Sequence, residues 1–117
     1  MLQLTPHCKV LLAVLPVDFR KGIDGLAALC RQQLSVDPMT GILFVFRNKG
    51  LTTIKILTYD GQGFWLATKR LSAGKFQWWP SGDNGATHSL IARELSVLLW
   101  NGNPERAALS ADWRKIA

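Results

Sequence analysis

The sequence contains few of the residues that cross-link small proteins or bind zinc. Cys8 and Cys30 are its two cysteines, and neither belongs to a CxxC pair. Two cysteines cannot build a four-cysteine zinc site, and small disulfide-rich domains normally use more of them. We therefore interpret both as small buried thiols in a protein from a reducing compartment, and the alternative is one disulfide between them.

Long hydrophobic runs are also missing. The longest apolar stretch, Val10 to Val17, has eight residues and includes Pro16, whereas a helix that spans a bilayer needs about 20. The same region lacks the cleavage pattern of a signal peptide. The sequence therefore predicts a cytoplasmic protein with no membrane segment.

Side chains for catalysis are scarce. Of the two histidines, His7 is the sequence neighbour of Cys8, and adjacent side chains of an extended chain diverge, so the two make a poor catalytic pair. His88 lies at an expected helix start. Phosphate-binding glycine motifs and the HExxH zinc motif are absent from the sequence. We predict no catalytic residue, no metal and no cofactor, because each acid considered for a metal cluster has a simpler structural explanation; these acids are Asp18, Asp24, Asp60, Asp83 and Glu94.

The chain has enough apolar residues to form one hydrophobic core. It is 117 residues long and 48% hydrophobic, which fits a single domain and excludes a disordered chain. We predict one domain over residues 1–103 and a C-terminal tail of helical character over residues 104–117.

Periodicity predicts an α+β fold. Apolar residues at helical spacing from Ile23 to Leu34 indicate an amphipathic helix, which ends before Pro38. A second helix begins at Thr87 or Ser89 and ends near Asn101. Glycine-containing turns join the later strands and make neighbours antiparallel. The prediction is an antiparallel β meander of four to five strands with both helices packed on one face; the strands are 9–14, 42–47, 52–59, 64–71 and 76–79.

Positive charge is concentrated in the predicted sheet. The formal net charge is +6, and residues 41–80 hold six bases and one acid. Strand alternation leads us to place Lys55 and Lys69 on one exposed face, with Trp65 and Tyr59. Such a face fits nucleic acid, because cations replace the counterions of phosphates and aromatic rings stack on bases. The alternative is a solvated face whose charges prevent edge-to-edge aggregation.

A second basic segment, Arg20-Lys21, precedes the first helix. Bases beside free helix amide groups make a candidate phosphate site, and the alternative is a solvated loop in which Arg20 pairs with Asp18. The predicted nucleic-acid-binding residues are therefore Arg20, Lys21, Arg47, Lys49, Lys55, Lys69, Arg70 and Lys75.

Several motifs, taken in order, resemble one family. The chain is similar to the Orf2-like accessory protein (TnpB) of the insertion sequence 66 family of bacterial transposable elements. The departures are Thr58-Tyr59 where the family usually has tryptophan, and Thr68 where it often has tyrosine. The motifs are VDFRKG at 17–22, GILFVFRN at 41–48, KILTYDG at 55–61, KRL at 69–71, GKF at 74–76 and WP at 79–80.

This resemblance implies a non-enzymatic protein needed for efficient DNA transposition. Its partners would be the transposase of the same element, and DNA, contacted through the basic sheet face. The alternatives are a protein-interaction module that does not touch nucleic acid and a small metal-dependent nuclease.

Overall fold

A computed structural model describes residues 8–82 and 85–105. The α+β class and the count of five strands are confirmed. Within the described ranges, no helix combines the length and hydrophobicity needed to cross a membrane. The predicted tail lies outside the described residues from position 106 onward. In chain order the elements are β1 (Val10–Ala13), α1 (Ile23–Gln32), a short 3-10 helix (Pro38–Thr40), β2 (Leu43–Arg47), β3 (Thr53–Tyr59), β4 (Phe64–Arg70), β5 (Thr87–Leu90) and α2 (Ala92–Leu99).

The five strands form one mixed sheet in the order β4-β3-β2-β1-β5. The hairpins β2-β3 and β3-β4 are antiparallel, as predicted, but β1 is parallel to β2 and antiparallel to β5. A purely antiparallel meander is therefore wrong. The reason is the long connection through α1, which carries the chain back to the starting edge so that β2 runs beside β1 in the same direction.

Two segments differ from their predicted structure. Residues 76–79 are not a strand, because Phe76 is buried in the core and Trp79 Nε1 donates to the Ala13 carbonyl (3.1 Å). Residues 87–90 form β5 beside β1 rather than a helix start. The helix α2 begins after Ile91, whose backbone N–H donates to the Glu94 carboxylate (2.9 Å).

The two helices cover opposite faces of the sheet, so their predicted packing on one face is not observed. On one face, Leu26 and Cys30 of α1 pack with Phe44 of β2. On the other face, Leu95 and Leu98 of α2 pack with the alternate strand residues, whose side chains point to that side of the sheet. Because β1 and the first four residues of β2 are buried on both sides, each face needs its own cover. We call these the α1 face and the α2 face.

Neither Cys8 nor Cys30 forms a disulfide, and Cys30 is inaccessible. It is fully buried in α1, and burial raises the pKa of its thiol to about 11. At pH 8 we expect an alkylating reagent to leave Cys30 unmodified in the native protein and to modify it after denaturation, as read by peptide mass mapping. Because the unfolded thiol ionises first, stability should fall as pH rises from about 8.5 towards 11. Fast native modification of Cys30 would contradict this assignment.

Candidate nucleic-acid interface

The register between β3 and β4 separates two lysines that the sequence places together. Lys55 lies opposite Thr68, and Lys69 lies opposite Ile54. Directly paired residues share a face, so Lys55 is on the α1 face and Lys69 on the α2 face. The predicted common face for these two lysines is wrong. The turn decides this, because it closes with a hydrogen bond from the Asp60 N–H to the Gly63 carbonyl (3.1 Å) and so fixes the register of the whole hairpin.

Five bases remain together at one end of the α1 face. The loop before α1 lies against β3 here, because Lys55 Nζ donates to the Phe19 carbonyl (3.1 Å) and sits 4.9 Å from the centre of the Phe19 ring. The same loop and the β2-β3 turn line one cavity. Arg70 lies opposite Thr53, diagonally across from Lys55 on the same face. We call this group the basic surface; it consists of Arg20, Lys21, Lys49, Lys55 and Arg70.

A shallow cavity joins the loop and turn parts of the basic surface. Its volume is about 490 Å³, and Arg20 and Lys49 both line it. The Val17 N–H donates to the Arg47 carbonyl (2.9 Å) and so holds the loop at this distance from the end of β2. The turn is itself rigid, since Asn48 Oδ1 accepts hydrogen bonds from the N–H groups of Thr52 (2.9 Å) and Thr53 (3.2 Å). The bases therefore stand on a fixed backbone.

One member of the basic surface is already paired with an acid. Arg20 Nη2 and Asp18 Oδ2 are 2.8 Å apart, and Arg20 Nε also donates to both carboxylate oxygens. Hydrogen bonds from Arg20 lower the pKa of the Asp18 carboxyl to about 2. The ion pair that the alternative expects is thus present, and phosphate binding by this segment stays a prediction. The remaining positive charge comes from four residues, namely Lys21, Lys49, Lys55 and Arg70.

The other three predicted bases lie elsewhere. Lys69 Nζ donates to the Leu99 carbonyl at the end of α2 and lies 5.3 Å from the centre of the Trp100 ring. The Lys75 carbonyl accepts from Asn101 Nδ2 (3.4 Å). Arg47 is half-buried opposite Ile54 on the α2 face, and its Nε is buried without a hydrogen-bond partner among the described residues. Arg47 Nη1 also donates to the Asn48 and Lys49 carbonyls of the β2-β3 turn (3.4 Å each), but its register position is on the α2 face. We therefore leave these three bases out of the basic surface.

The aromatic rings also divide between the faces. Trp65, half-exposed, lies on the α2 face, and its Nε1 donates to Asp60 Oδ2 (2.7 Å). Tyr59 packs against Phe64 with ring centres 5.0 Å apart. Sequence reasoning missed Phe19, whose ring supports the Lys55 ammonium and whose only signal was its position inside the VDFRKG motif. This arrangement suits contact with phosphates better than stacking of unpaired bases.

Two of the acids considered for a metal cluster, Asp60 and Glu94, hold local structure. Asp60 accepts from the Gln62 N–H, from Trp65 Nε1 and from the Gly63 N–H, which lowers the pKa of its carboxyl. No group of three histidine, cysteine or acidic residues within 8–82 and 85–105 is arranged to hold a metal ion. His88 lies on β5 with its ring 5.8 Å from that of Trp78. His7 and Asp83 lie outside the described residues.

A small α+β protein with a cationic surface on one side of its sheet is the class that this geometry defines. The model of the family described as "IS66 Orf2 like protein" matches residues 8–108. The chain therefore belongs to the IS66 Orf2-like family, whose members are accessory proteins of IS66 insertion sequences, generally without catalytic activity.

The chain is also similar to two curated proteins from Sinorhizobium fredii (strain NBRC 101917 / NGR234). One, "Uncharacterized protein y4jC", is 42% identical over 91 residues, covering 78% of this chain and 76% of the relative. The other, "Uncharacterized protein y4hO", is 38% identical over 99 residues, covering 85% and 84%. No solved structure matches the chain significantly.

Proposed function

We propose that this protein is a non-catalytic accessory factor of DNA transposition that binds element DNA through its basic surface and acts beside the transposase. The observation that carries the proposal is the clustering of four bases that have no acidic partner within residues 8–82 and 85–105, next to the paired Arg20. Lys21, Lys49 and Arg70 are exposed, and Lys55 is half-buried but has its ammonium at the surface loop.

The physical basis is the release of counterions from the phosphate backbone. Each cation that contacts a phosphate displaces condensed salt ions, and the logarithm of the affinity then falls with the logarithm of the salt concentration by about 0.9 for each contact on duplex DNA. Four bases therefore predict a slope of roughly −3 to −4. Because such contacts carry no base information, they position the protein but do not read the sequence.

A salt titration tests this proposal. We expect the affinity for a duplex that carries the terminal repeat of the element to fall roughly 100-fold between 50 and 200 mM salt, as measured by fluorescence anisotropy. An affinity that barely changes with salt, or the absence of binding at 50 mM salt, would contradict phosphate contact.

A transposase pull-down, repeated after nuclease digestion, is the control for the partner. Association that survives digestion indicates direct protein contact, whereas association that is lost indicates that DNA bridges the two proteins. Retained association together with no DNA binding would support the alternative, a protein-interaction module.

A further inference from the structure

The strand β4 leaves one row of backbone groups unpaired at the edge of the sheet. The Asp60 N–H donates to Gly63, and the Leu71 N–H donates to Thr52 (2.9 Å). Between these two bonds, hydrogen-bonded and non-hydrogen-bonded residue pairs alternate along the ladder. The backbone N–H and C=O groups of the odd-numbered residues of β4 therefore bond to β3, and those of the even-numbered residues point away from the sheet. In the described part of the chain nothing pairs with the outward groups, which belong to Phe64, Leu66, Thr68 and Arg70.

This edge also exposes apolar surface. Trp65 is 51% exposed, and Trp100, next to the end of α2, is 85% exposed. Trp65 lines an apolar groove of about 430 Å³ whose lining also includes Ile56 and Leu99. Lysine normally protects such an edge, but the Lys69 ammonium is turned away to the end of α2. The strand edge itself is therefore accessible.

We propose that two copies of this chain pair antiparallel through β4, centred on Ala67, so that their sheets become continuous. Ala67 is the middle residue of the seven-residue strand, and centring there lets the whole strand pair. It sets Phe64 opposite Arg70 of the second copy and Leu66 opposite its Thr68. The unpaired backbone groups of one copy then hydrogen-bond to the unpaired backbone groups of the other. A shift by one residue would set outward groups against groups already bonded to β3.

The charges along β4 complement their own antiparallel copy. The N-terminal end carries Trp65 with the Asp60 carboxylate, and the C-terminal end carries Lys69 and Arg70. Antiparallel pairing brings each acidic, aromatic end against a basic end, so that Phe64 faces Arg70 of the second copy. A base beside an aromatic ring is attractive, whereas like charges directly opposite would repel. This self-complementarity favours a second copy over an unrelated strand.

The resulting dimer has a defined geometry. Its interface is isologous, with a two-fold axis through the centre of the β4 pair. Since directly paired residues share a face, the α1 faces of both copies lie on the same side of the joined sheet. The two basic surfaces then face one direction. Dimerisation does not depend on DNA binding and is measurable without DNA.

Oligomeric state measured by sedimentation velocity over a concentration series tests the dimer. Trp65→Lys places on the pairing edge a lysine that is not held at α2, and lysine normally prevents strand pairing there; it should raise the dissociation constant at least tenfold. The matched control is Ile91→Lys, since Ile91 is equally exposed at 52% and follows β5 at the opposite edge. A monomeric wild type, or equal weakening by Trp65→Lys and Ile91→Lys, would overturn the proposal.

Cysteine cross-linking tests the register and remains informative if a Trp65 variant fails to fold. In a Cys8→Ser background, Ala67→Cys should form an intermolecular disulfide on oxidation, because the two copies of this residue face each other in a closely spaced, non-hydrogen-bonded pair. Thr68→Cys should not, because its opposite residue is Leu66. Cross-linking of both variants to the same extent, or of neither, would rule out this pairing.

Discussion

Replacing Lys21 and Lys49 together with glutamate is expected to lower the affinity for duplex DNA roughly 50- to 100-fold near 100 mM salt. Both side chains are exposed; Lys21 lies in the loop just before α1, and Lys49 lies in the β2-β3 turn. The loss of two phosphate contacts should also reduce the magnitude of the salt slope by about 2. Anisotropy titrations at several salt concentrations measure both quantities.

The matched control is Lys75→Glu combined with Arg93→Glu. It changes the net charge by the same amount, also at two exposed positions, but Lys75 lies in the segment bound to Asn101 and Arg93 lies on α2. We expect a much smaller loss of affinity and an almost unchanged slope. An equal loss in both double variants would mean that affinity follows total charge alone, and the assignment of the basic surface would be wrong.

The placement of charge shows where sequence reasoning ends. Alternation within a strand is a local property, and Lys55 does lie on the same side as Leu57, as its spacing requires. Which face a residue shares with a neighbouring strand depends instead on the register. That register follows from how the turn at 60–63 closes, and composition does not reveal it. Lys55 and Lys69 therefore lie on different faces, although β3 and β4 were both located correctly.

Long-range pairing explains the other differences. The strand β5 has a single buried apolar residue, Leu90, so nothing local marks it as a strand. It forms because β1 offers a free edge more than 70 positions earlier in the chain. Conversely, the aromatic run at 76–79 has the composition of a strand, yet Phe76 and Trp79 use their side chains to cover the α2 face. Helices and hairpins form between residues that are close in sequence, and they were predicted. The pairing of β5 with β1 joins residues that are far apart in sequence, and it was not predicted.

The basic surface was predictable in part. The excess of charge within 41–80 is visible in the sequence, and so is the Arg20-Lys21 segment. The contact between them is not, because it depends on the loop that brings the Phe19 carbonyl to Lys55. This contact unites bases more than 30 positions apart. Their union on one face is a property of the fold.

Truncating Phe44 to alanine is expected to destabilise the fold by about 3–5 kcal/mol. Phe44 is fully buried on the central strand β2, opposite Leu57 and packed in the cluster that holds α1. A loss of this size is a large part of the total stability of a domain, which is typically about 5–15 kcal/mol. Urea denaturation followed by tryptophan fluorescence measures it. The control is Met39→Ala, because Met39 is 49% exposed and should change stability by less than about 1 kcal/mol.

Stability and DNA affinity should separate in these variants. Phe44 lies under the α1 face and is no part of the basic surface, so Phe44→Ala should bind DNA like the wild type at a temperature where it remains folded. The Lys21→Glu, Lys49→Glu variant should show the reverse, with lost affinity and a free energy of unfolding within about 0.5 kcal/mol of the wild type. The two measurements therefore distinguish side chains that bind phosphate from those that position them. A folded Phe44→Ala protein with wild-type circular dichroism and lost affinity would contradict that division.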